Sequence, residues 1–143
     1  MTLLRVEGEI NTPRSFAFDD LAALPGQVPD VSTLLPGREG GGVQLRTLLD
    51  MVGPKQTATH ITLAATDGTY SANVPLAAVA DRSVLVYRLG HNPLPAAKGG
   101  PVRFYIVGVE ECATGEVDAC ANVKFLHTIR LTIGPGEDTR PTR

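Results

Sequence analysis

Hydrophobic positions come in short runs cut by glycine and proline, and most runs alternate with a period of two. "TLLRVEG" near the start reads as a first strand. Phe16 and Phe18 lead into "DDLAALPG", a one- or two-turn helix that Asp19 is expected to cap and Pro25-Gly26 to end. "QVPDVSTLL" reads as a second extended segment, irregular at Pro29, and "PGREGGG" as a flexible loop. The period then changes. Leu45, Leu48, Leu49 and Val52 fall at i, i+3, i+4 and i+7, which predicts an amphipathic helix stopped by Gly53-Pro54.

The second half returns to a period of two. Ile61, Leu63 and Ala65 alternate outward to Asp67-Gly68, and Tyr70, Ala72 and Val74 alternate back, so a hairpin with a two-residue turn is expected. Pro75 opens a short helix, "PLAAVA". "SVLVYRLG" is a strand apolar on both faces. "HNPLPAAKGG" is a loop, and "PVRFYIVG" a strand with Val102, Phe104 and Ile106 on one face. "FLHTIRLTI" is the last strand. The pattern predicts a β-rich α+β fold with several β layers and short helices, forming one domain over residues 1–134. Residues 135–143, "GPGEDTRPTR" without its first glycine, are expected to be a disordered polar tail.

Composition narrows the function. The chain has 143 residues, 43% of them hydrophobic, with a net charge of −2. Without a basic stripe or tryptophan, nucleic acid is not an expected partner. No apolar run reaches membrane-spanning length, and the opening residues lack the apolar core of a signal peptide, so no membrane partner and a cytoplasmic location are expected. There Cys112 and Cys120 would be reduced.

The chemistry concentrates in "AAKGGPVRFYIVG", Ala96 to Gly108. Arg103 stands alone in an apolar run. It is either a solvated charge on an open strand face or a planar clamp for an anion such as phosphate. Gly99 and Gly100 would let a ligand approach the backbone and meet free N–H donors. Cys112 and Cys120 lie in the following loop, with a spacing wrong for C-x-x-C redox chemistry and without a regular zinc pattern. Three readings stay open, in order: loop thiols, a disulfide, or metal ligands. Proximity of the pair at a cleft rim is expected, with Gly115 easing the reversal between them. Asp67 reads as a turn residue. His60, His91, Asn92 and His127 are more simply structural, and no nucleophile–base pair emerges.

"VEG", "FAFDDLAALP", "GVQLRTLLDMVG", "TDGTYSANVPL", "VLVYRLGHNPLPAAKGGPVRFYIVG" and "VKFLHTI" follow one another in an order that resembles the molybdopterin-binding domain of the sulfite oxidase family, over roughly Gly8 to Ile133. The resemblance implies that family's fold, a molybdopterin cofactor and oxidoreductase chemistry. It implies that Arg103 and Lys124 contact the cofactor, with Gly99, Gly100 and Lys98 beside them. Lys124 has a second reading, as a charge guarding a strand end. The sequence departs from the family in two places. The cysteine that supplies a thiolate to the metal is missing from "QVPDVSTLLPGREGGG", where Ser32 and Thr33 are poor substitutes, and Lys98 stands where a histidine is usual. The alternative function is a non-catalytic descendant that binds another small ligand or a protein, with a second copy or a partner chain completing the pocket.

Overall fold

The computed structural model describes residues 1–112 and 115–141. Two five-stranded sheets enclose the main core. The first contains β1 (Leu4–Gly8), β2 (Arg14–Phe16), β5 (His60–Ala65), β6 (Ser71–Pro75) and β10 (Leu126–Thr132), in the order β2-β1-β10-β5-β6. β1 runs parallel to β10, and the other pairs are antiparallel. The second sheet contains β3 (Gln27–Val28), β4 (Gly41–Gln44), β7 (Ser83–Leu89), β8 (Asn92–Pro93) and β9 (Arg103–Ile106). Its path is β3-β4-β7-β8, with β9 also paired to β7. Three short helices, α1 (Phe18–Ala22), α2 (Leu45–Val52) and α3 (Leu76–Val79), complete the β-rich α+β fold read from the pattern.

The periodicities explain the layers. Leu45, Leu48, Leu49 and Val52 of α2 are fully buried, as are Ile61, Leu63, Ala72 and Val74 of the hairpin. β7 is apolar from Val84 to Tyr87 because both its faces are covered there. Leu85 and Tyr87 enter the main core, whereas Val84 and Val86 join Val31, Leu35, Leu94 and Tyr105 in a second, smaller core. β9 divides in the same way: Val102, Phe104 and Ile106 point into the main core, and Arg103 and Tyr105 to the other side.

Local readings needed correction. The first helix is capped through Asp20, whose carboxylate accepts the Ala17 N–H at 2.8 Å, and not through Asp19. "QVPDVSTLL" is extended only at β3. Val31–Thr33 is a 3-10 turn whose opening N–H, from Ser32, is taken by Asp30. Part of the expected glycine loop is strand β4, and Arg14–Phe16 adds a strand that the pattern missed. The hairpin turn is wider than two residues. Ala65 N–H bonds to the Tyr70 carbonyl around the loop from Thr66 to Thr69, and Asp67 accepts the Thr69 N–H at 2.9 Å. The polar tail, expected to be frayed, instead packs along β6 through residue 140. Thr139 exchanges hydrogen bonds with Ser71, and Arg140 is buried. What was expected of residues 142 and 143 lies outside the described residues.

Candidate anion site

The segment between β8 and β9 is built to hold two cations together. After the 3-10 turn Ala96–Lys98, Gly99 takes φ +90°, a left-handed conformation that a side chain would strain. A Cβ on Gly99 would stand 2.9 Å from Arg103 Cδ and 3.1 Å from Lys124 Cγ, so the stems of both cations converge over this bare backbone. A Cβ on Gly100 would overlap the Leu94 carbonyl oxygen. The glycines therefore serve close packing. They do not offer free donors as expected, because Gly99 N–H is bonded to the Ala96 carbonyl and Gly100 N–H to the Pro95 carbonyl, at 2.9 and 3.0 Å.

Lys124 is fixed from the other side. Phe125 donates its N–H to the Gly99 carbonyl at 2.7 Å, and its own carbonyl accepts from Thr66, through both N–H and hydroxyl. Phe125 holds a positive φ of 55°, the only such non-glycine residue among those described. Backbone strain at a turn beside a cleft is worth about 1 kcal/mol or more, and it persists only where neighbours over-determine the conformation. Here Gly99 and Thr66 do so, from two separate segments.

Arg103 and Lys124 line two adjoining cavities. The first, of about 440 Å³, has largely apolar walls from Ala65, Tyr70, Phe125 and the two cysteines, with Asp67 at its edge. The second, of about 330 Å³, adds Arg38, Lys98, Glu39 and Tyr105. Both volumes lie within the range of small-ligand sites. Arg103 is half-buried, with its guanidinium 4.6 Å from the centre of the Tyr105 ring, and Arg38 approaches the same ring at 5.3 Å. Its Nε is buried without a hydrogen-bond partner, and among the described residues no carboxylate comes within ion-pair range. Burial, and secondarily the nearby Arg38, holds its pKa below the usual guanidinium value, against the opposing pull of Tyr105. Lys98 is exposed and bonded to Glu39 at 3.2 Å.

Cys112 and Cys120 are joined in a disulfide, with Cα atoms 4.9 Å apart. The expected proximity at the cleft rim is present, but the first-ranked reading, free loop thiols, is corrected, as is the expectation that both are reduced. In this state neither sulfur is available as a metal thiolate. Among the described residues no cluster of three or more histidine, cysteine or acidic side chains is placed to hold a metal. The covalent loop is anchored on its Cys120 side. Asp118 accepts the Cys120 N–H at 3.1 Å, and the Tyr70 hydroxyl donates to the Cys120 carbonyl at 2.6 Å. Sequence reasoning missed the support beneath. Arg140 donates to Asp118, Asp138 and the carbonyls of Glu116 and Asn73, and no composition or spacing signal in a polar tail marks that role. His91 and Asn92 are exposed and line neither cavity.

The comparisons with known proteins place this cleft in a family. The model for the oxidoreductase molybdopterin binding domain matches residues 39–137, which include β4 to β10 with Lys98, Gly99, Gly100, Arg103, Cys112, Cys120 and Lys124. The chain belongs to this family. A solved structure, the sulfane dehydrogenase SoxCD from Paracoccus pantotrophus, superposes with a TM-score of 0.67 at 18% identity. That match covers 92% of this chain and 38% of the other, so the fold is shared while the chain spans well under half of that relative's length. No curated protein sequence matches. Among the described residues no helix is long and apolar enough to cross a membrane.

Proposed function

We propose that this molybdopterin-binding domain uses Arg103 and Lys124 to hold the phosphate of a pterin cofactor, with Gly99 and Gly100 shaping the space above which the two cations meet. The observation that carries the reading is the buried, unpartnered Arg103 Nε. A half-buried guanidinium without a counter-ion keeps a desolvation cost that a bound anion would offset, and a planar fork can grip phosphate through two parallel hydrogen bonds. Lys124 adds a point charge, and Arg38 with the ion-paired Lys98 raises the potential at the basic end of the cleft. The apolar end, floored by Phe125 and Ala65, suits the flat body of a pterin and excludes water from it.

The phosphate end of the cofactor fits these residues, and the metal end does not. When bound, the molybdenum group would supply two-electron redox chemistry, but this chain offers no cysteine before α2 and no free thiolate in the disulfide state. Its own residues bind and orient. That disagreement favours a second reading, a descendant that binds the cofactor or another phosphate-bearing molecule without catalysis. The cleft is open on one side, and a second copy or a partner chain would complete its wall under either reading. A cytoplasmic location remains part of this proposal, and a disulfide found there belongs to the labile, redox-active kind. Purification from a host that makes molybdopterin, followed by assay of pterin and molybdenum, tests the reading. Stoichiometric pterin that is lost in Arg103→Ala supports it. Pterin-free wild-type protein from such a host overturns it.

A further inference from the structure

The cysteine pair stands apart from the cofactor reading and carries an activity of its own. We propose that the Cys112–Cys120 disulfide is a thiol–disulfide exchange site, in which Cys112 is the sulfur attacked and Cys120 the thiolate released.

The two sulfurs are in unlike surroundings. Cys112 is exposed and lies at the rim of the cleft, whereas Cys120 is half-buried. Cys120 sits in a short 3-10 turn, Ala119–Ala121, whose backbone is held by Asp118, by the Tyr70 hydroxyl and by the Glu110 carbonyl, which accepts the Ala119 N–H at 2.7 Å. An incoming thiolate must reach the back of the sulfur it attacks, in line with the bond that breaks, and Cys112 is the more exposed of the two residues. The charge around the leaving group points the same way. Cys120 shares its cavity wall with Arg103 and Lys124, two cations without a carboxylate in ion-pair range among the described residues, while Asp118, which accepts the Cys120 N–H, is ion-paired with Arg140, and Asp67 of that wall accepts the Thr69 N–H. Cationic surroundings stabilise a thiolate, and a stabilised thiolate leaves faster in disulfide exchange.

The step balances with a thiol of the glutathione class. Its thiolate attacks Cys112 Sγ, the Cys112–Cys120 bond breaks, and the electron pair leaves on Cys120 Sγ. A second thiolate attacks the outer sulfur of the mixed disulfide, forming the external disulfide and releasing Cys112 as thiolate. Both released thiolates equilibrate with water for their protons. Two electrons pass from two thiols, or from one dithiol, into this chain. Because Cys120 is anchored by Tyr70 and by Asp118 of the buried Arg140–Asp118 pair, the reduced cleft keeps its Cys120 wall while Cys112 gains freedom.

The test uses the folded full chain, oxidised with excess glutathione disulfide and then exposed to reduced glutathione at pH 7.5, quenched with acid and mapped by peptide mass. The mixed disulfide is expected on Cys112 at least fivefold over Cys120. Reduction is expected to go to completion without loss of the native circular-dichroism spectrum, and its initial rate to fall threefold or more in Arg103→Ala or Lys124→Ala. Any of four results overturns the proposal: no disulfide after oxidation, a mixed disulfide on Cys120 or spread equally, reduction only in urea, or rates unchanged in both variants. None of these readouts depends on a bound pterin, so a failed cofactor assay and a failed exchange assay remain separate outcomes.

Discussion

Two arginines of this molecule are removed from solvent in opposite ways. The Arg140 side chain is 0% exposed and has every kind of partner it needs: Asp118, itself 0% exposed, Asp138, and two backbone carbonyls. Arg103 is half-buried, rests its plane against Tyr105, and has a buried Nε bonded to nothing. The first arrangement answers all of its charge within the fold. The second leaves charge unanswered beside an open cavity. A fold that can satisfy one arginine so completely from a polar tail has no general difficulty in doing so, and this contrast is what supports the proposal that Arg103 serves an external anion.

The largest effect that would test this contrast is on stability. Arg140→Met should cost about 3–5 kcal/mol, because it removes the buried guanidinium that pairs with the buried Asp118 carboxylate. Urea unfolding followed by circular dichroism measures it. The double change with Asp118→Asn should recover part of that loss, since it removes both charges of the buried pair. A single variant that unfolds at the wild-type midpoint would erase the distinction between the two arginines.

The second effect is on binding. Arg103→Ala should weaken inorganic pyrophosphate binding by about 1.5–3 kcal/mol, the range for hydrogen bonds to a charged group. Its effect on stability should stay within about 1 kcal/mol, since only the contact with the Tyr105 ring is lost and no buried partner is left behind. Titration calorimetry beside urea unfolding separates the two quantities. A loss of stability as large as that of Arg140→Met, with pyrophosphate affinity unchanged, would make Arg103 a second structural cation.

The division between the arginines also shows what could be read in advance. The fold was legible where burial follows a period. The α2 stripe, the 61–74 hairpin and the two faces of β9 needed only Leu45, Leu48, Ile61, Val74 and Phe104 in their places. β4 escaped because Gly41 and Gly42 have no side chain with which to signal a period, and β2 because it is a three-residue pair beside β1. At the site, Arg103 and Lys124 were singled out through the motif that surrounds them, and the structure brings their stems together over Gly99. The committed N–H groups of Gly99 and Gly100 were not, since a turn that uses its own donors has the same sequence as one that offers them. Arg140 was invisible for a related reason. Its partners Asp118 and Asn73 are far away along the chain, and a polar tail gains its fixed place only from such long-range pairing.

A third, smaller effect is a pH dependence confined to the satisfied arginine. Asp138 is pushed upward by burial, but hydrogen bonds from Arg140 and from the Asn73 N–H outweigh this and hold its carboxyl below the ordinary range. A carboxyl with a depressed native pKa contributes stability that is fully present above its unfolded value, about 4, and is lost as pH falls through the native value. The stability difference between wild type and Arg140→Met should therefore shrink as urea unfolding is repeated at pH 5, 4 and 3. A difference that stays constant over that interval would remove Asp138 from the account of the tail.

The smallest effect sharpens the other side of the comparison. Lys98 and Glu39 form an exposed pair at 3.2 Å on the rim of the basic cavity. Such pairs contribute about 0–1 kcal/mol, so Lys98→Ala should barely move the unfolding midpoint. Its influence on an anion acts through the field and not through a fitted contact. Removing Lys98 leaves Glu39 facing the cleft and should weaken pyrophosphate binding at low salt, whereas Glu39→Gln should strengthen it. Both changes should fade at about 1 M salt, where screening acts within about 3 Å. The loss in Arg103→Ala should survive better under the same salt, because the half-buried guanidinium is less exposed to screening ions. Equal salt sensitivity in Lys98→Ala and Arg103→Ala would mean that Arg103, too, acts only as part of a diffuse positive rim, and that its buried Nε has no special claim on a ligand.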